Sequence, residues 1–571
     1  MPGPDPVSRL LEAVTEISRE MSGDDTIEPS LEPSSRPEHG DYSSNAAMLM
    51  AGPLGRPPRE IAAELSEAVA TLLADALEKT EVAGPGFLNL FLSDGWYRAA
   101  VRDLGGTVAP VPPVDQPERV LLEFVSANPT GPLTAASGRH AAYGDAILRL
   151  LRRTGNRITT EYYVNDGGSQ IENFALSIAA RMDGTEPPEN GYQGDYVNEL
   201  AERARAGGIA STDLEELSLQ GVGWMVESIR ASLAAFGVEM DDFFSERSLY
   251  EEGLVEKGLE HLRQAGNTFE EDGALWLRTT EFGDDKDRVL VRSSGEPTYF
   301  GADVAYHVDK VERGNARLLT VLGADHHGYV ARMAAAMRSL GKEVEFEARI
   351  LQMIHLVEGG QRTKMSKRAG DIVTLDELVA DIGKDAARFF MLQRSHDSTM
   401  DLDLELARSQ SSDNPVYYVQ YAHARIQSIL RKAAERPQAG RQGPGPAEPA
   451  PEDSRSGAVP EDSRPGPAVP ATEGVRSGAV PPVDPSERAL IAGLLAFPAE
   501  VHQAAERRAP HRICAYATET AAAFHAFYRD CQVVGAGGDG LEAARLELCE
   551  STAATLSASL ELLGISAPDS M

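Results

Sequence analysis

The alternation of strand-like and helix-like runs over residues 119–405 is the feature that most constrains the fold of this chain. Such alternation is typical of parallel sheets. The strand-like runs are VLLEFVSA, ITTEYYVN, GALWLRT, RVLVRS and ARLLTVLGA. Helix-like runs such as GYVARMAAAMRSLG follow some of them. We therefore predict an α/β domain with a parallel sheet in this part of the chain.

Two further regions flank the alternating part. Residues 1–110 combine helix-forming and strand-forming patterns and predict a small α/β unit, which a Pro-rich linker at 109–118 separates from the rest. The later region becomes helical, but residues 436–484 are poor in aromatics and rich in Pro, Gly and Ala. This composition cannot bury enough apolar surface to fold and predicts a disordered insertion. The predicted domains are residues 1–110, 119–405 and 406–571, the last interrupted by the insertion 436–484.

Charge and cysteine content narrow the classes of function. The 571 residues include 54 Lys and Arg against 88 Asp and Glu, a net charge of −34. This balance argues against a protein that coats nucleic acid without specificity, although it leaves room for a local basic path. Cys514, Cys531 and Cys549 show no CxxC spacing and predict reduced thiols. We find neither a signal-peptide pattern nor a run of ~18 apolar residues, so we expect a cytoplasmic protein without membrane association.

Two segments have the composition of phosphate-binding sites. PTGPLTAASGRHAAYGD at Pro129–Asp145 follows a strand-like run and leads into a helix, and a helix N-terminus after a Gly/Pro turn suits a phosphate. QRTKMSKRAGD at Gln361–Asp371 places Lys364 and Lys367 three residues apart, which suits a loop that brings positive charge to a polyphosphate. By composition alone, the second segment also fits a solvated basic turn.

The second segment carries a specific resemblance. KMSKR resembles the Lys-Met-Ser-Lys loop of class I aminoacyl-tRNA synthetases and lies between an α/β region and a helical one, as that class requires. Further motifs, in order, resemble arginyl-tRNA synthetases over nearly the whole chain outside the insertion. They are PEHGDYSSNAA (37–47), VAGPGFLNL (82–90), SANPTGPL (126–133), EYYVNDGGSQI (161–171), FFSERSLY (243–250), PTYFGADVAYH (297–307), LGADHHGYV (322–330), DNPVYYVQYAHARI (413–426) and LLGISAPDSM (562–571).

The resemblance implies an architecture and a reaction. The fold would be a Rossmann-like class I catalytic domain, preceded by a small α/β tRNA-binding domain and followed by an all-α anticodon-binding bundle. Arginine would attack the α-phosphate of ATP to give arginyl-adenylate, and tRNA(Arg) would then take the arginyl group; the first step typically requires the tRNA. The implied partners are arginine, ATP and tRNA(Arg), with Mg²⁺ bound to ATP rather than held by the protein, and we expect a monomer.

Recognition of arginine needs carboxylates and oxygen acceptors around a plane, since a guanidinium offers five donors and no acceptor. By family correspondence, Tyr299, Asp303 and Glu246 would face the guanidinium. Asn128 would hold the α-amino or carboxylate end, and His326 would line the pocket. Taken one at a time, these residues also fit a core aromatic, a helix cap or a surface charge.

The run GADHHG, with Asp325 between Ala324 and His326, also contains groups that bind metals. Adjacent residues rarely converge on one ion, and no further His or Cys ligands lie at metal spacing, so we predict no metal site. The resemblance instead implies that this run lines the adenosine and arginine pocket. The implied ATP contacts are Ser126, Gly138, Asp325 and Met365.

The turn after NPTGPL departs from the family signature, which is His, an apolar residue, Gly and His. This chain has Thr134, Ala135, Ala136 and Ser137 there, and His140 follows three residues later. Loss of one preorganised donor typically costs a factor of ~10²–10³ in rate, so we expect severely weakened adenylation unless Thr134, Ser137 or His140 compensates. The candidate catalytic residues are Lys364, Ser366, Lys367, Thr134, Ser137 and His140.

The helical C-terminal region supplies candidate tRNA contacts. They are Tyr417, Tyr421 and Arg425 in NPVYYVQYAHAR and the final Met571. Aromatic rings can stack on splayed anticodon bases, and arginine can hold a phosphate or a base edge. The spacing of the tyrosines also fits a buried helix face, so a core role stays open.

Two functions from different classes are open at this point. One is an arginine–tRNA ligase that the altered signature has slowed or specialised. The other is a non-catalytic arginine- or tRNA-binding relative of that enzyme, with a regulatory or pathway-specific role.

Overall fold

The computed structural model describes residues 5–34, 36–341, 344–362, 373–436, 482–538 and 540–571, apart from the side chains of Pro37, Asp325 and His327. Residues 437–481 of the predicted insertion lie outside this part. The described chain forms an N-terminal α/β unit, a central region around a parallel sheet, and a C-terminal set of helices.

The N-terminal unit is an antiparallel sheet packed with helices. Its elements are α1 (Pro6–Ser22), β1 (Leu31–Pro33), β2 (Tyr42–Ser44), α2 (Ala46–Leu54), α3 (Pro58–Leu72), β3 (Leu77–Ala83), β4 (Phe87–Leu92) and α4 (Asp94–Leu104). The strand order is β1–β2–β4–β3. The alternation along β4 buries Leu88, Leu90 and Leu92, which form the inner face of this sheet.

The central region contains the parallel sheet predicted from the sequence. Its elements are β5 (Arg119–Glu123), α5 (Ala135–Arg153), β6 (Arg157–Val164), α6 (Ser169–Met182), α7 (Asp195–Ala206), α8 (Leu214–Ala235), β7 (Asp242–Ser245), α9 (Glu246–Glu251), α10 (Leu254–Gln264), β8 (Thr268–Glu271), β9 (Ala274–Leu277), β10 (Arg288–Val291), α11 (Tyr299–Glu312), β11 (Arg317–Gly323), α12 (His327–Ser339) and β12 (Glu345–Leu351). Five strands are parallel in the order β12–β11–β5–β6–β7. The chain order reverses between β5 and β11, and open α/β sheets bind ligands at the carboxyl ends of strands beside such a switch point.

Two of the predicted strands do not join the parallel sheet. GALWLRT and RVLVRS become β9 and β10, which pair antiparallel with each other, while β9 also pairs antiparallel with β8 in the same small sheet. Their assignment to the parallel sheet is wrong because only the ten residues 278–287 connect them. A parallel connection needs a dozen or more residues. The strands β7 and β12 complete the parallel sheet instead.

The remaining elements lead into the C-terminal helices. They are β13 (Ile354–Glu358), β14 (Gln361–Arg362), α13 (Leu375–Ile382), α14 (Lys384–Leu392), β15 (Met400–Asp403), α15 (Leu404–Arg408), α16 (Pro415–Glu435), α17 (Pro485–Leu495), α18 (Phe497–Glu506), α19 (His511–Asp530) and α20 (Leu541–Leu562). Short 3-10 turns lie at Pro37–His39, Thr279–Phe282 and Ala324–His326. Over the described residues, we find no helix with the length and apolar character needed to cross a membrane.

One hydrophobic core runs through all three regions. It includes Leu104 of α4, Leu122 of β5 and Leu490 of α17. An ion pair of 2.5 Å between Arg488 of α17 and Asp94 at the start of α4 lies beside it. Two smaller clusters lie around α10–α12 and around α6–α8. The first and last regions of the chain therefore pack on each other as well as on the central sheet.

Arg388 of α14 is a fully buried side chain that joins several elements. Its Nε donates to the carbonyl of Leu563 after α20 at 2.8 Å, and its Nη1 donates to the carbonyl of Phe236 after α8 at 3.1 Å. Its Nη2 pairs with the carboxylate of Asp145 on α5, which also pairs with Arg149. One guanidinium thus ties α5 and α8 to the C-terminal helices.

Replacing Arg388 by alanine should lower the free energy of unfolding by about 3–5 kcal/mol, because it removes the main partner of a buried carboxylate and the donor of two carbonyls. Urea-induced unfolding followed by circular dichroism measures the shift of the midpoint. Arg408→Ala is the control, since Arg408 pairs with Glu358 and Asp381 at the surface and should give no resolvable shift. Equal shifts for the two variants would contradict the role of Arg388.

Candidate functional site

The turn between β5 and α5 lies at the carboxyl edge of the parallel sheet and contains residues 134–137. Thr134 is the N-cap of α5, and its hydroxyl oxygen accepts the backbone N–H of Ser137 at 3.2 Å. The Thr134 and Ser137 hydroxyl oxygens are also 3.2 Å apart. An N-cap oxygen satisfies an open donor of the first helical turn. The Thr134 hydroxyl therefore helps to start the helix.

The same turn is bonded to the chain that follows the Lys-Met-Ser-Lys segment. The backbone N–H of Ala135 donates to the carbonyl of Val373 at 3.1 Å, and the N–H of Leu375 donates to the carbonyl of Leu133 at 2.8 Å. These bonds bring the starts of α5 and α13 together. The segment 363–372, with Lys364, Met365, Ser366 and Lys367, lies outside the described residues.

Gly138 and His140 lie on the first turns of α5. A Cβ on Gly138 would be 2.7 Å from Cδ1 of Leu375 and 3.1 Å from Cε of Met391, so a larger residue here would displace the ends of these two side chains. That side of Gly138 faces helices, and a contact with ATP would come from its backbone. His140 is half-buried, about one helical turn beyond Ala136.

Ser126 and Asn128 lie in the loop between β5 and α5. The Ser126 hydroxyl donates to the carboxylate of Glu123 at 3.0 Å and accepts the backbone N–H of Tyr163 at 3.1 Å. These partners use the single proton of the hydroxyl, so its oxygen can only accept a hydrogen bond from a ligand. The side chain of Asn128 is exposed.

Asp303 and Glu246 form an acidic site beside this loop. Burial, together with the negative charges of Glu123 and Glu246, raises the pKa of Asp303 on α11 to about 7. Burial and the charge of Asp166 raise the pKa of Glu246 at the start of α9, against a hydrogen bond from the Tyr163 hydroxyl that lowers it. Two carboxyl groups whose negative charge is disfavoured by burial and by neighbouring carboxylates make a site that a cation would stabilise.

Tyrosines surround the two carboxylates. Burial raises the pKa of Tyr163 and of Tyr329, and the charge of Asp303 raises both further. Burial also raises the pKa of Tyr250, a half-exposed residue of α9, and Glu246 and Asp303 add to the shift. Phenol oxygens beside carboxylates can accept hydrogen bonds from a planar group with several donors.

Tyr299 and His326 lie at the rim of this site. The side chain of Tyr299 is 80% exposed, and its phenol contributes to the raised pKa of Tyr250. The His326 ring is exposed and stands edge-on to the Tyr329 ring, with centroids 6.2 Å apart. The side chain of Asp325 lies outside the described part. Within that part, no three His, Cys, Asp or Glu side chains are placed to hold a metal ion.

A buried ion network lies beneath the acidic site. The Nζ of Lys310 on α11 is 2.5 Å from a carboxylate oxygen of Glu123 on β5 and 3.8 Å from one of Glu161 on β6. The Tyr306 hydroxyl donates to Glu161 at 2.6 Å, and Arg313 pairs with the same carboxylate at 2.6 Å. The network attaches α11, the helix that carries one of the two site carboxylates, to two central strands.

Sequence reasoning did not identify Glu123, Tyr163, Tyr250 or Tyr329 as part of this site. The three tyrosines lie within the motifs that resemble the family, so the signal was present. Glu123 interrupts an apolar strand, and a charge in such a position indicates a buried partner. The identity of that partner requires the fold.

The predicted tRNA contacts gather on one face of the C-terminal helices. The rings of Tyr417 and Tyr421 on α16 stack with centroids 6.1 Å apart, and the Arg425 guanidinium lies 4.7 Å from the Tyr528 ring centroid on α19. Tyr417 and Met571 line one cavity of about 400 Å³. The buried residues of α16 are Val416, Val419, Gln420, Ala422, His423, Ala424, Ile426 and Ile429. The two predicted tyrosines are thus not part of the buried face of the helix.

Three protein-family models match the chain. They are described as the arginyl tRNA synthetase N terminal domain (residues 8–92), the class I (R) tRNA synthetase catalytic domain (222–427) and the DALR anticodon binding domain (470–571). An arginine–tRNA ligase of Desulforudis audaxviator is 42% identical, and the match covers 99% of this chain and 98% of that protein. One from Shouchella clausii is 41% identical, with 93% and 92% covered. The solved Thermus thermophilus arginyl-tRNA synthetase has a TM-score of 0.72 at 25% identity, with 99% and 100% covered.

The fold contains a parallel sheet with a switch point, and the chain matches a class I catalytic domain and an anticodon-binding domain. Together these observations define a class I aminoacyl-tRNA synthetase. Within this class, the N-terminal domain match and the relatives above 40% identity select one family. The chain belongs to the arginyl-tRNA synthetase family. The resemblance and the fold class expected from the sequence are confirmed.

A guanidinium-bearing ligand such as arginine should bind more tightly as the pH rises through about 7. Below that pH the Asp303 carboxyl is largely protonated, because its pKa is raised to about 7. The guanidinium stays charged and favours the ionised carboxylate, so binding below pH 7 must release a proton. We expect the Kd to fall by up to about tenfold per pH unit below 7 and to level off above it.

Isothermal titration calorimetry across this pH range measures the effect. Asp303→Asn should weaken binding at high pH and remove most of the pH dependence, since the titrating group is gone. A Kd of the unaltered protein that does not change with pH would contradict the assignment of Asp303.

Proposed function

We propose that this chain is an arginine–tRNA ligase that activates arginine with ATP and transfers the arginyl group to tRNA(Arg). The observation that carries the proposal is the pair of carboxylates, Asp303 and Glu246, in a tyrosine-lined site of a chain of this family. A guanidinium offers only donors and remains charged at physiological pH. Two carboxylates with phenol oxygens around them supply the acceptors and the negative charge that it needs.

In the proposed complex, Asp303 and Glu246 bind the guanidinium, and Tyr299 covers it from the rim. Asn128 holds the α-amino or carboxylate end of arginine, with His326 at the side of the pocket. The exposure of Tyr299, Asn128 and His326 supports this arrangement, since their side chains are accessible to a ligand. The proposed ATP contacts are Ser126, Gly138, Asp325 and Met365.

The chemistry consists of two substitutions. A carboxylate oxygen of arginine attacks the α-phosphorus of ATP, the bond to the bridging oxygen of the β-phosphate breaks, and pyrophosphate leaves. A hydroxyl of the terminal ribose of tRNA then attacks the arginyl carbonyl carbon and gives up its proton, and the bond from that carbon to the phosphate oxygen breaks, so that AMP leaves. Lys364 and Lys367 bring positive charge to the phosphates, with Ser366 between them as a hydrogen-bond donor. Mg²⁺ bound to ATP would add charge neutralisation at the phosphates.

We propose that the first step is slower here than with a complete signature. Thr134 and Ser137 offer neutral hydroxyls that contact each other, and the Thr134 oxygen already accepts the backbone N–H of Ser137. The position of two helix starts favours the first step. The helices α5 and α13 begin beside each other at this turn, and helix N-termini favour anions such as phosphate. His140 lies one turn away from the same end. We infer reduced rather than abolished adenylation.

The remaining assignments concern the tRNA and the state of the protein. We propose that residues 119–405 are the catalytic domain, that the N-terminal domain 1–110 binds tRNA, and that the C-terminal domain 406–571 binds the anticodon. The stack of half-buried Tyr417 on exposed Tyr421, with Arg425 beside Tyr528 and Met571 in the adjoining cavity, supports this face as the anticodon site. The chain would act as a cytoplasmic monomer.

The purified chain with arginine, ATP, Mg²⁺ and tRNA(Arg) should form arginyl-tRNA, and omission of the tRNA should suppress ATP–pyrophosphate exchange. Asp303→Asn should reduce kcat/KM for arginine by about 30- to 1,000-fold, because one partner of an enclosed charge pair is lost. Glu312→Gln, an exposed change on the same helix, is the control and should retain activity. An unaltered chain that binds arginine but forms no arginyl-tRNA would contradict the ligase proposal.

Restoring the signature tests the proposed cause of slow adenylation. The triple variant Thr134→His, Ala136→Gly, Ser137→His should raise the ATP–pyrophosphate exchange rate at least ~10-fold, since a preorganised donor is typically worth ~10²–10³. Thr134→Ala with Ser137→Ala is the matched variant and should lower exchange, because the remaining hydroxyls are lost. No gain in the triple variant would show that the site works with a different geometry.

A further inference from the structure

The backbone after β5 is strained at two residues that are not glycine. Val125 has a φ of 72° and Ser126 a φ of 39°, both in the left-handed region. This region is unfavourable for most side chains, and particularly for a β-branched residue such as valine. Such a backbone persists only where surrounding contacts determine it, and it is concentrated at functional sites. The contacts that hold this loop in its strained conformation are therefore important for its function.

Two tyrosine hydroxyls hold the loop from different elements. Tyr162 of β6 donates to the carbonyl of Ala127 at 2.6 Å, and Tyr196 of α7 donates to the carbonyl of Thr130 at 2.7 Å. A Cβ on Gly131 would be 3.0 Å from the Tyr196 hydroxyl oxygen, so the phenol lies directly against the loop. Burial raises the pKa of both tyrosines, so both hydroxyls remain donors at physiological pH.

Asn128 lies between the two anchored carbonyl groups. The carbonyl of Ala127 precedes it and that of Thr130 follows two residues later, while the Asn128 side chain is exposed. The backbone on both sides of Asn128 is thus fixed, although its side chain can meet a ligand. Tyr162 belongs to the central sheet, but Tyr196 comes from α7, which packs with α6 and α8 in a separate hydrophobic cluster.

We propose that Tyr196 is a positioning residue for arginine binding, whose hydroxyl holds the strained loop so that Asn128 meets the α-amino and carboxylate end of arginine. Tyr196 does not touch the substrate and acts through Asn128. This inference rests on the proposed function and deepens it. It gives the helices α6–α8, which are inserted between β6 and β7, a part in binding the amino-acid end of the substrate.

Tyr196→Phe removes only the hydroxyl, and arginine binding measured by calorimetry should become about 5- to 10-fold weaker. Butylguanidine, which has the guanidinium but neither the amino nor the carboxylate group, should bind as it does to the unaltered protein. Tyr192→Phe is the matched control, since it removes a hydroxyl from the same insertion, where the Tyr192 ring packs edge-on against Phe174. It should bind both ligands normally.

A double-mutant cycle tests whether Tyr196 acts through Asn128. The double variant Tyr196→Phe, Asn128→Ala should bind arginine no more weakly than Asn128→Ala alone. Additive losses, an unchanged arginine affinity of Tyr196→Phe, or an equal loss of butylguanidine binding would overturn the inference. Gly131→Ala is a second way to disturb the contact between Tyr196 and the loop, because the added Cβ would press on the Tyr196 hydroxyl. This variant should also bind arginine more weakly and bind butylguanidine normally.

The results of these experiments distinguish a failure of the role proposed for Tyr196 from a failure of the proposed ligase function. An unaltered chain that binds arginine without charging tRNA would overturn the ligase proposal, and the cycle would still decide the role of Tyr196. An unaltered chain that binds no arginine would overturn both.

Discussion

The ammonium group of Lys310 has no exposed surface and lies between the carboxylates of Glu123 and Glu161. A buried charge without partners is so unfavourable that it must be paired or neutralised. Here each buried charge has a partner, because Arg313 pairs with Glu161 and with Asp309, and the Tyr306 hydroxyl donates to Glu161. Removal of one member of such a set typically costs about 3–5 kcal/mol. The partners come from β5, β6 and α11, so charge pairing helps to fix α11 at the edge of the sheet.

The same network sets the electrostatics of the candidate site. Burial raises the pKa of Asp303, Glu123 raises it further and Lys310 lowers it, with a resulting pKa of about 7. The acidic half of the site is therefore defined by groups that are far apart in sequence. The phosphate half is different, because the Thr134 hydroxyl mainly serves the start of α5, and that turn is bonded to the chain before α13. One half depends on long-range charge pairing, and the other on local helix capping and a short backbone bridge.

This difference explains what could be predicted from the sequence. The motifs pointed to Asp303 and Glu246, which the structure brings together, and the strand–turn–helix pattern located the start of α5. Lys310 could not be predicted, because it meets Glu123 across 187 positions of sequence and its helix pattern does not reveal which charge it faces. The strands β9 and β10 look like parallel-sheet strands by composition, and only the short connection between them argues otherwise. The backbone bond between Ala135 and Val373 leaves no periodic pattern at all.

The hydrophobic core that runs from α4 through β5 to α17 affects how this protein can be studied in pieces. The helix α4 packs on α17 and α20, so a fragment cut at the sequence boundaries would expose buried residues of this contact such as Leu104 or Leu490 to water. Apolar patches of this kind promote association and precipitation during recombinant expression. The N-terminal unit and the C-terminal helices are therefore poor candidates for separate production, and binding of tRNA to isolated fragments would report on a surface that the intact molecule keeps covered.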